Sequence, residues 1–251
     1  MVMALIAYLL FGMAPLNSEI IFWGILSGVL HGVYILCLSR AYSTADISYV
    51  YPIARSAPVF VPVFAWLVLD EHLHISTFLA IGFILTAIYI LHFEGKLIRG
   101  FVNLIRAFRH QDLRWAFYTL AMVVSYSLVD KKGMDSFLSH LPNQPFANGV
   151  TFFFIEAVIG FALCNLYIFS TSPTKYIFQV WRREWHKAML AGIATLGSYG
   201  LICVVLQFEA LSAIVSLRQV SVLMVVYWGC WKLKEPFGLQ RLLAGGLILI
   251  G

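Results

Sequence analysis

Apolar residues in this chain fall into long runs that are separated by short polar stretches. Most of these runs approach the roughly 20 residues that a helix needs to cross the apolar core of a bilayer. A helix satisfies its own backbone hydrogen bonds in lipid, so each run predicts a membrane helix. We count nine apolar segments, over residues 1–14, 20–39, 47–69, 74–92, 115–130, 147–169, 188–208, 211–231 and 239–251. The pattern therefore predicts an all-α membrane protein.

Composition supports this prediction. The chain is 61% hydrophobic and 12% charged, whereas roughly 25% of the residues in a soluble domain are charged. The net charge of +5 does not indicate nucleic-acid binding, because the basic residues lie between apolar segments. The cysteines lie in apolar segments without a CxxC pattern, so we expect packing groups rather than a metal site or disulfides. They are Cys37, Cys164, Cys203 and Cys230. We expect no cofactor.

One pattern occurs twice in the chain. Residues 41–87 align without a gap with residues 205–251, and each copy has an apolar helix, a glutamate and a second apolar helix. Glu71 aligns with Glu235, and Gly82 aligns with Gly246. Internal duplication of this kind is typical of membrane transporters.

The basic residues predict the orientation in the membrane. If the segments alternate in direction, most of the 17 Lys and Arg residues fall on one side, which is therefore cytoplasmic. This side contains the connections 95–114 and 171–187, and each is predicted to include an amphipathic stretch on the membrane surface. An odd number of spans separates Glu71 from Glu235. The two copies are therefore predicted to be inverted relative to each other.

The third segment contains a buried cation among prolines. Arg55 shares a helical face with Pro52, Pro58 and Pro62. Each proline removes a backbone donor, so the pattern predicts a kinked helix with spare carbonyl groups beside Arg55. Transporters build sites near the membrane midplane in this way. The alternative is an arginine that snorkels or has a structural ion pair.

The second copy contains a comparable group. Gln219 aligns with Arg55, and Arg218 stands beside it at similar depth. Two guanidinium groups would suit a carboxylate or phosphate through bidentate bonds. This favours an anionic or zwitterionic substrate, with pairing to buried acids as the alternative.

Four acids are candidates for coupling or gating. Glu156 lies inside the sixth segment and is predicted either to carry a coupling proton or to pair with a buried base. Asp130 is predicted at a helix end beside Lys131, where a local pair or cap is expected. Glu71 and Glu235 are predicted at helix ends near water, as caps or as a gate pair.

Aromatic and small residues complete the candidate site. His31, Tyr51 and Tyr199 are predicted to add polar and aromatic groups to a substrate-binding cavity, although each could instead be a packing residue. The second segment has glycines every four residues, a spacing that lets another backbone approach closely. We expect packing within the chain, with a dimer interface as the alternative. These glycines are Gly24, Gly28 and Gly32.

Three stretches carry a more specific pattern. Residues 41–55 read AYSTADISYVYPIAR, residues 125–136 read SYSLVDKKGMDS, and residues 212–220 read SAIVSLRQV. Together they resemble the EamA-like branch of the drug/metabolite transporter superfamily. The resemblance implies two repeats, at residues 1–94 and 115–251, joined by a cytoplasmic amphipathic linker at 95–114. The residues that match the family's motifs are Asp46, Tyr51, Pro52, Arg55, Asp130, Arg218 and Glu235.

The resemblance also implies ten helices, arranged as two inverted five-helix bundles around a central substrate cavity. Against that pattern, we expect that the helix before residues 1–14 is missing and that the last helix is shortened at Gly251. The nine segments would then be nine of an expected ten.

These features favour a secondary transporter in the cell inner (plasma) membrane. We expect it to export a small polar metabolite, such as an amino acid, by alternating access, with protons as a possible coupling ion. One alternative is a non-transporting or truncated relative. A lipid-modifying enzyme is the other, but the chain has no HxxxH, DDxxD or GxSxG pattern, so we do not expect an enzyme.

Overall fold

The structure is a computed structural model that describes about two thirds of the chain. The described residues are Leu9, 12–44, Val50, 53–54, 56–72, Ile75, 78–83, Thr86, 113–218 and 246–247. Six helices are defined within them, and no β-strand occurs among these residues. The helices are α1 Ser18–Thr44, α2 Ala57–Leu69, α3 Arg114–His140, α4 Pro145–Thr171, α5 Thr174–Val205 and α6 Leu211–Leu217. The predicted all-α membrane architecture is thereby confirmed.

Three of the helices are long and apolar enough to cross a membrane: α1, α4 and α5. The 27 residues of α1 and of α4 extend over about 40 Å at 1.5 Å per residue. This exceeds the roughly 30 Å of a bilayer core. Both helices include the whole of a predicted segment and extend a few residues beyond it at each end.

Helix α3 is longer than the sequence predicted. The segment was expected to end near residue 130, but the helix continues to His140. Its last turns are held by packing against α4: Met134 and Phe137 are fully buried, and the Phe137 ring meets Phe152 edge-on at 6.4 Å. Tertiary contacts therefore extend this helix through a stretch that is too polar to be recognised as part of a membrane span.

Helix α5 also differs from the prediction. It begins at Thr174, inside the predicted connection 171–187, and continues to Val205 without a break. Pro173 precedes it, and residues 174–191 contain no glycine or proline that would end it. The basic segment and the predicted span are thus one helix. The predicted surface linker 95–114 lies outside the described residues, apart from 113–114.

Contacts divide the chain into two compact units, each of which draws on both halves of the sequence. The first contains Met1–Leu36 and Ser125–Glu209, and the second contains Cys37–Val124 and Ala210–Gly251. The boundaries 1–94, 95–114 and 115–251 describe sequence repeats and remain predictions.

In the first unit, α1 packs closely on α4 through the predicted glycine pattern. A Cβ atom on Gly24 would lie 2.9 Å from Ile155, and one on Gly32 would lie 3.1 Å from Leu163. At Gly28 it would lie 2.6 Å from Ile159 and 2.8 Å from the backbone oxygen of Glu156. These glycines make contacts within the chain, as the sequence predicted.

Amide side chains join the start of α4 to the end of α5. The Asn148 amide donates to Gln207 Oε1 at 2.9 Å, and the Gln207 amide donates to the Pro145 carbonyl at 2.9 Å. Both side chains are buried. Gln207 therefore has a packing role.

In the second unit, α2 packs against α6. The predicted span 47–69 is interrupted at Ser56, which is not helical, and α2 begins at Ala57. Pro58 therefore lies in the first turn, where its missing N–H is not needed. Pro62 lies inside the helix and leaves the Pro58 carbonyl without its usual donor. Pro52 lies outside the described residues.

Candidate functional site

Asp130 is a buried group in the middle of α3. Its side chain accepts a hydrogen bond from Ser27 Oγ at 2.5 Å and another from Tyr199 Oη at 2.5 Å. It is fully buried and lies ten residues before the end of its helix. The prediction of a helix-end position was therefore wrong. Neighbouring Lys131 donates to the Leu206 carbonyl and lies 2.8 Å from Asp135.

Glu156 and His31 lie beside this acid. His31 Nδ1 is 3.3 Å from Glu156 Oε1 and 3.3 Å from Ser27 Oγ, and it is 3.2 Å from the Ser27 backbone oxygen. The Glu156 side chain is 5% exposed, and the His31 side chain is 13% exposed. One side-chain nitrogen or oxygen atom from each of His31, Asp130 and Glu156 lies within 4.8 Å of the other two.

Aromatic rings surround the imidazole. The Tyr126 ring stacks on His31, with centroids 3.8 Å apart and planes inclined by 30°. The Tyr199 and Tyr34 rings approach the imidazole edge-on at 5.2 and 6.5 Å. The stack restricts the plane of the imidazole, and Nδ1 of this ring faces Glu156.

Close packing of α1 on α4 brings these groups together. Gly28 lies one residue after Ser27 and three before His31, and it faces the backbone of Glu156. With no side chain there, the two helices come close enough for His31 to reach Glu156. The sequence therefore places a small residue where the site requires contact between backbones.

We name Ser27, His31, Tyr126, Asp130, Glu156 and Tyr199 the acid–histidine cluster. All six belong to the first unit. Carboxyl, imidazole and hydroxyl groups at these distances can bind and pass protons, and their spacing also suits a small cation. Ionisable groups inside membrane helices mark ion or proton pathways more often than structural sites.

Glu71 makes a different kind of contact, within the second unit. Its carboxylate accepts the Leu211 N–H at 2.6 Å and the Ser212 N–H at 3.3 Å, as well as the Ser212 hydroxyl at 3.0 Å. The residue at the N-cap of α6 is Ala210, which has no group that could cap the helix. Glu71 therefore caps α6 from a distant part of the chain. This is the first of the two roles that the sequence suggested for it.

The structure brings together four of the predicted site residues: His31, Asp130, Glu156 and Tyr199. Arg218 follows α6 in the second unit, as its C-cap. The predicted residues Tyr51, Arg55, Gln219 and Glu235 lie outside the described residues.

Ser27 was not among the predicted site residues. Its signal was present, because Ser27 precedes His31 by four residues and therefore lies on the same helical face. A polar pair inside an apolar, glycine-rich segment is a useful indicator of a buried polar network.

Comparison with known proteins supports the sequence resemblance. Residues 1–93 match the EamA-like transporter family. The predicted recognition is thereby confirmed. The match includes α1, with Ser27 and His31, and α2. A search of curated proteins found no match. The family match points to a multi-pass membrane transporter rather than an enzyme.

Proposed function

We propose that this protein is a secondary transporter that exports a small polar metabolite by alternating access. The observation that carries the proposal is the acid–histidine cluster, which places two buried carboxyl groups among helices of membrane-crossing length. An ionisable side chain within a membrane helix is costly to bury, so such groups usually mark a functional site. The EamA match supports the same function.

The coupling ion in this proposal is the proton. Glu156 binds it, and His31 and Asp130 lie beside Glu156. Binding and release of a proton would change the charge of the cluster by one unit. A group whose charge changes can favour one of two conformations, which is what coupling to transport requires.

The substrate in this proposal is an amino acid or another anionic or zwitterionic compound. Arg55 and Arg218 from the two inverted repeats bind its carboxylate or phosphate. Tyr51, Gln219 and Tyr199 supply further polar contacts, and Glu235 is a cap or gate in the second repeat. The protein lies in the cell inner (plasma) membrane, with residues 95–114 and 171–187 on the cytoplasmic side.

Flux into proteoliposomes tests this function. The purified protein is reconstituted into vesicles that are loaded with a mixture of labelled amino acids and simple carboxylates. Exchange of each compound across the vesicle membrane is then measured. We expect exchange of at least one compound, and its loss in Arg55→Ala and in Arg218→Ala. Arg183→Ala is the matched control, because Arg183 has 85% of its side chain exposed. Unchanged exchange in both test variants would contradict the assigned binding groups, and no exchange of any compound would contradict transport of this class.

A further inference from the structure

The two acids of the cluster are joined by a continuous path of polar atoms. Glu156 Oε1 lies 3.3 Å from His31 Nδ1, and His31 Nδ1 lies 3.3 Å from Ser27 Oγ. Ser27 Oγ in turn donates to Asp130 Oδ1 at 2.5 Å. One imidazole and one hydroxyl therefore connect two carboxyl groups on different helices, α4 and α3.

We propose that Glu156 and Asp130 exchange one proton along this path and act as a single proton-binding unit. This inference rests on the proposed proton-coupled function and assigns the coupling proton to both acids instead of to Glu156 alone. His31 and Ser27 are the groups that carry it between them.

Each step of the exchange balances. The O–H bond of protonated Glu156 breaks as an N–H bond forms at His31 Nδ1, which leaves a carboxylate and an imidazolium. The imidazolium then gives this proton to Ser27 Oγ while the hydroxyl proton of Ser27 passes to Asp130 Oδ1. One proton has moved and every other group has returned to its starting form. The neutral imidazole must carry its remaining hydrogen on Nε2 for this to occur.

The surroundings keep the path in this order. Ser27 and His31 lie one turn apart on α1, so their separation is fixed by the helix. Tyr199 donates to Asp130 Oδ2, which directs the other oxygen, Oδ1, toward Ser27. The Tyr126 stack holds the imidazole plane.

Other titratable groups also face the cluster. The Tyr34 and Tyr126 rings lie against His31 from α1 and α3, and the Tyr199 ring does so from α5. Lys131 is next to Asp130 in the chain and lies 2.8 Å from Asp135. Unperturbed tyrosine hydroxyls ionise near pH 10, far above the range in which unperturbed carboxyl groups titrate.

Infrared spectroscopy can test this without a known substrate. The protein is placed in lipid nanodiscs, treated with EDTA, and titrated while the C=O band of protonated carboxyl groups is recorded. The Asp130 titration midpoint is compared in four proteins: wild type, Glu156→Gln, Ser27→Ala, and the double variant. Two groups that share a proton interact strongly, so we expect Glu156→Gln to change the midpoint by about one pH unit or more.

The effect of Glu156→Gln is compared with serine and with alanine at position 27. This comparison distinguishes a hydrogen-bonded path between the acids from an interaction through space alone. If the hydroxyl connects the acids, Glu156→Gln changes the Asp130 midpoint less once Ser27 is alanine, because only the through-space interaction then remains. If the acids interact only through space, the change is the same in both backgrounds, and the proposal is overturned. It is also overturned if Glu156→Gln has no effect in either background.

Two further variants control for the loss of a buried hydroxyl elsewhere and for misfolding of Ser27→Ala. Thr119→Val removes a buried hydroxyl that donates to the Trp115 carbonyl, and it should leave the full effect of Glu156→Gln. Ser27→Cys is close in size and keeps a weak donor, so an intermediate effect is expected if the alanine variant does not fold. The wild-type titration is also recorded without EDTA, and carboxyl bands that titrate only after EDTA treatment would show a resident metal ion and would contradict the proposal. Because no transport is measured, a failed flux experiment and a failed titration are separate results.

Discussion

Burial of the ionisable side chains of the acid–histidine cluster costs free energy, which individual neighbouring residues must offset. On insertion scales, an ionisable side chain at the centre of a membrane helix costs about 2.5–3.5 kcal/mol. The cluster offsets this at Asp130 with two hydroxyl donors, Ser27 and Tyr199, since hydrogen bonds to a charged group are roughly twice as strong as neutral ones. The hydroxyl groups therefore stabilise the fold and also shape the site.

At this scale the structure predicts the effect of Tyr199→Phe. The change removes the hydroxyl that donates to Asp130 while the ring is kept, so unfolding should become easier by about 1.5–3 kcal/mol. The measurement is the midpoint of denaturant unfolding in detergent. Tyr176→Phe is the control, because Tyr176 is 62% exposed. Equal stability of the two variants would show that the hydrogen bond contributes nothing.

Among the elements, α1 and α4 depend most on close backbone approach. A side chain at Gly28 would meet a backbone oxygen, which cannot rotate away as a flexible side chain can. The helices would have to separate, and His31 would lose its contact with Glu156. Stability and the site therefore depend on the same glycine.

We accordingly expect Gly28→Ala to destabilise the protein by about 1–3 kcal/mol, the usual cost of overpacking. Gly192→Ala in α5 is the matched control, because nothing lies within 4 Å of a Cβ atom at that position. The control should be neutral or stabilise by up to about 1 kcal/mol, since alanine favours a helix over glycine. Thermal unfolding in detergent compares the two, and similar melting temperatures would argue against tight packing at Gly28.

The cap of α6 by Glu71 also contributes to stability. Glu71→Ala leaves the N–H groups of Leu211 and Ser212 without their acceptor, so stability should fall by about 0.5–2 kcal/mol. Glu209→Ala is the control, because this exposed acid lies near the same helix end. Hydrogen exchange at α6 should rise in the Glu71 variant only. Faster exchange in both variants would point to a general effect of charge near α6 rather than to the cap.

For the molecule as a whole, the sequence was most informative about helices whose ends follow from their own local pattern of apolar and polar residues. Apolar runs predicted α1 and α4 closely, and the glycine spacing predicted how α1 packs. The ends of α3 and α5 were missed because they depend on other forces. Burial of Phe137 extends α3, and the absence of a breaker joins the basic segment to α5.

The candidate site was predictable only in part. His31, Asp130, Glu156 and Tyr199 were recognisable as polar residues in apolar segments, but nothing in one sequence showed that they meet. Ser27 and Asp130 are 103 residues apart, and Tyr199 is a further 69 residues beyond Asp130. Contacts of that range depend on how the helices pack, and periodicity does not record this.

Coupling of transport to protons by the acid–histidine cluster can be measured by comparing flux with and without a pH gradient. Proteoliposomes exchange the labelled amino acids and carboxylates either along an imposed pH gradient or at equal pH on both sides. We predict that Glu156→Gln keeps exchange at equal pH but loses gradient-driven accumulation, while Asp135→Asn, a partly exposed acid on α3, keeps both. Gradient-driven accumulation that is unchanged in Glu156→Gln would contradict the claim.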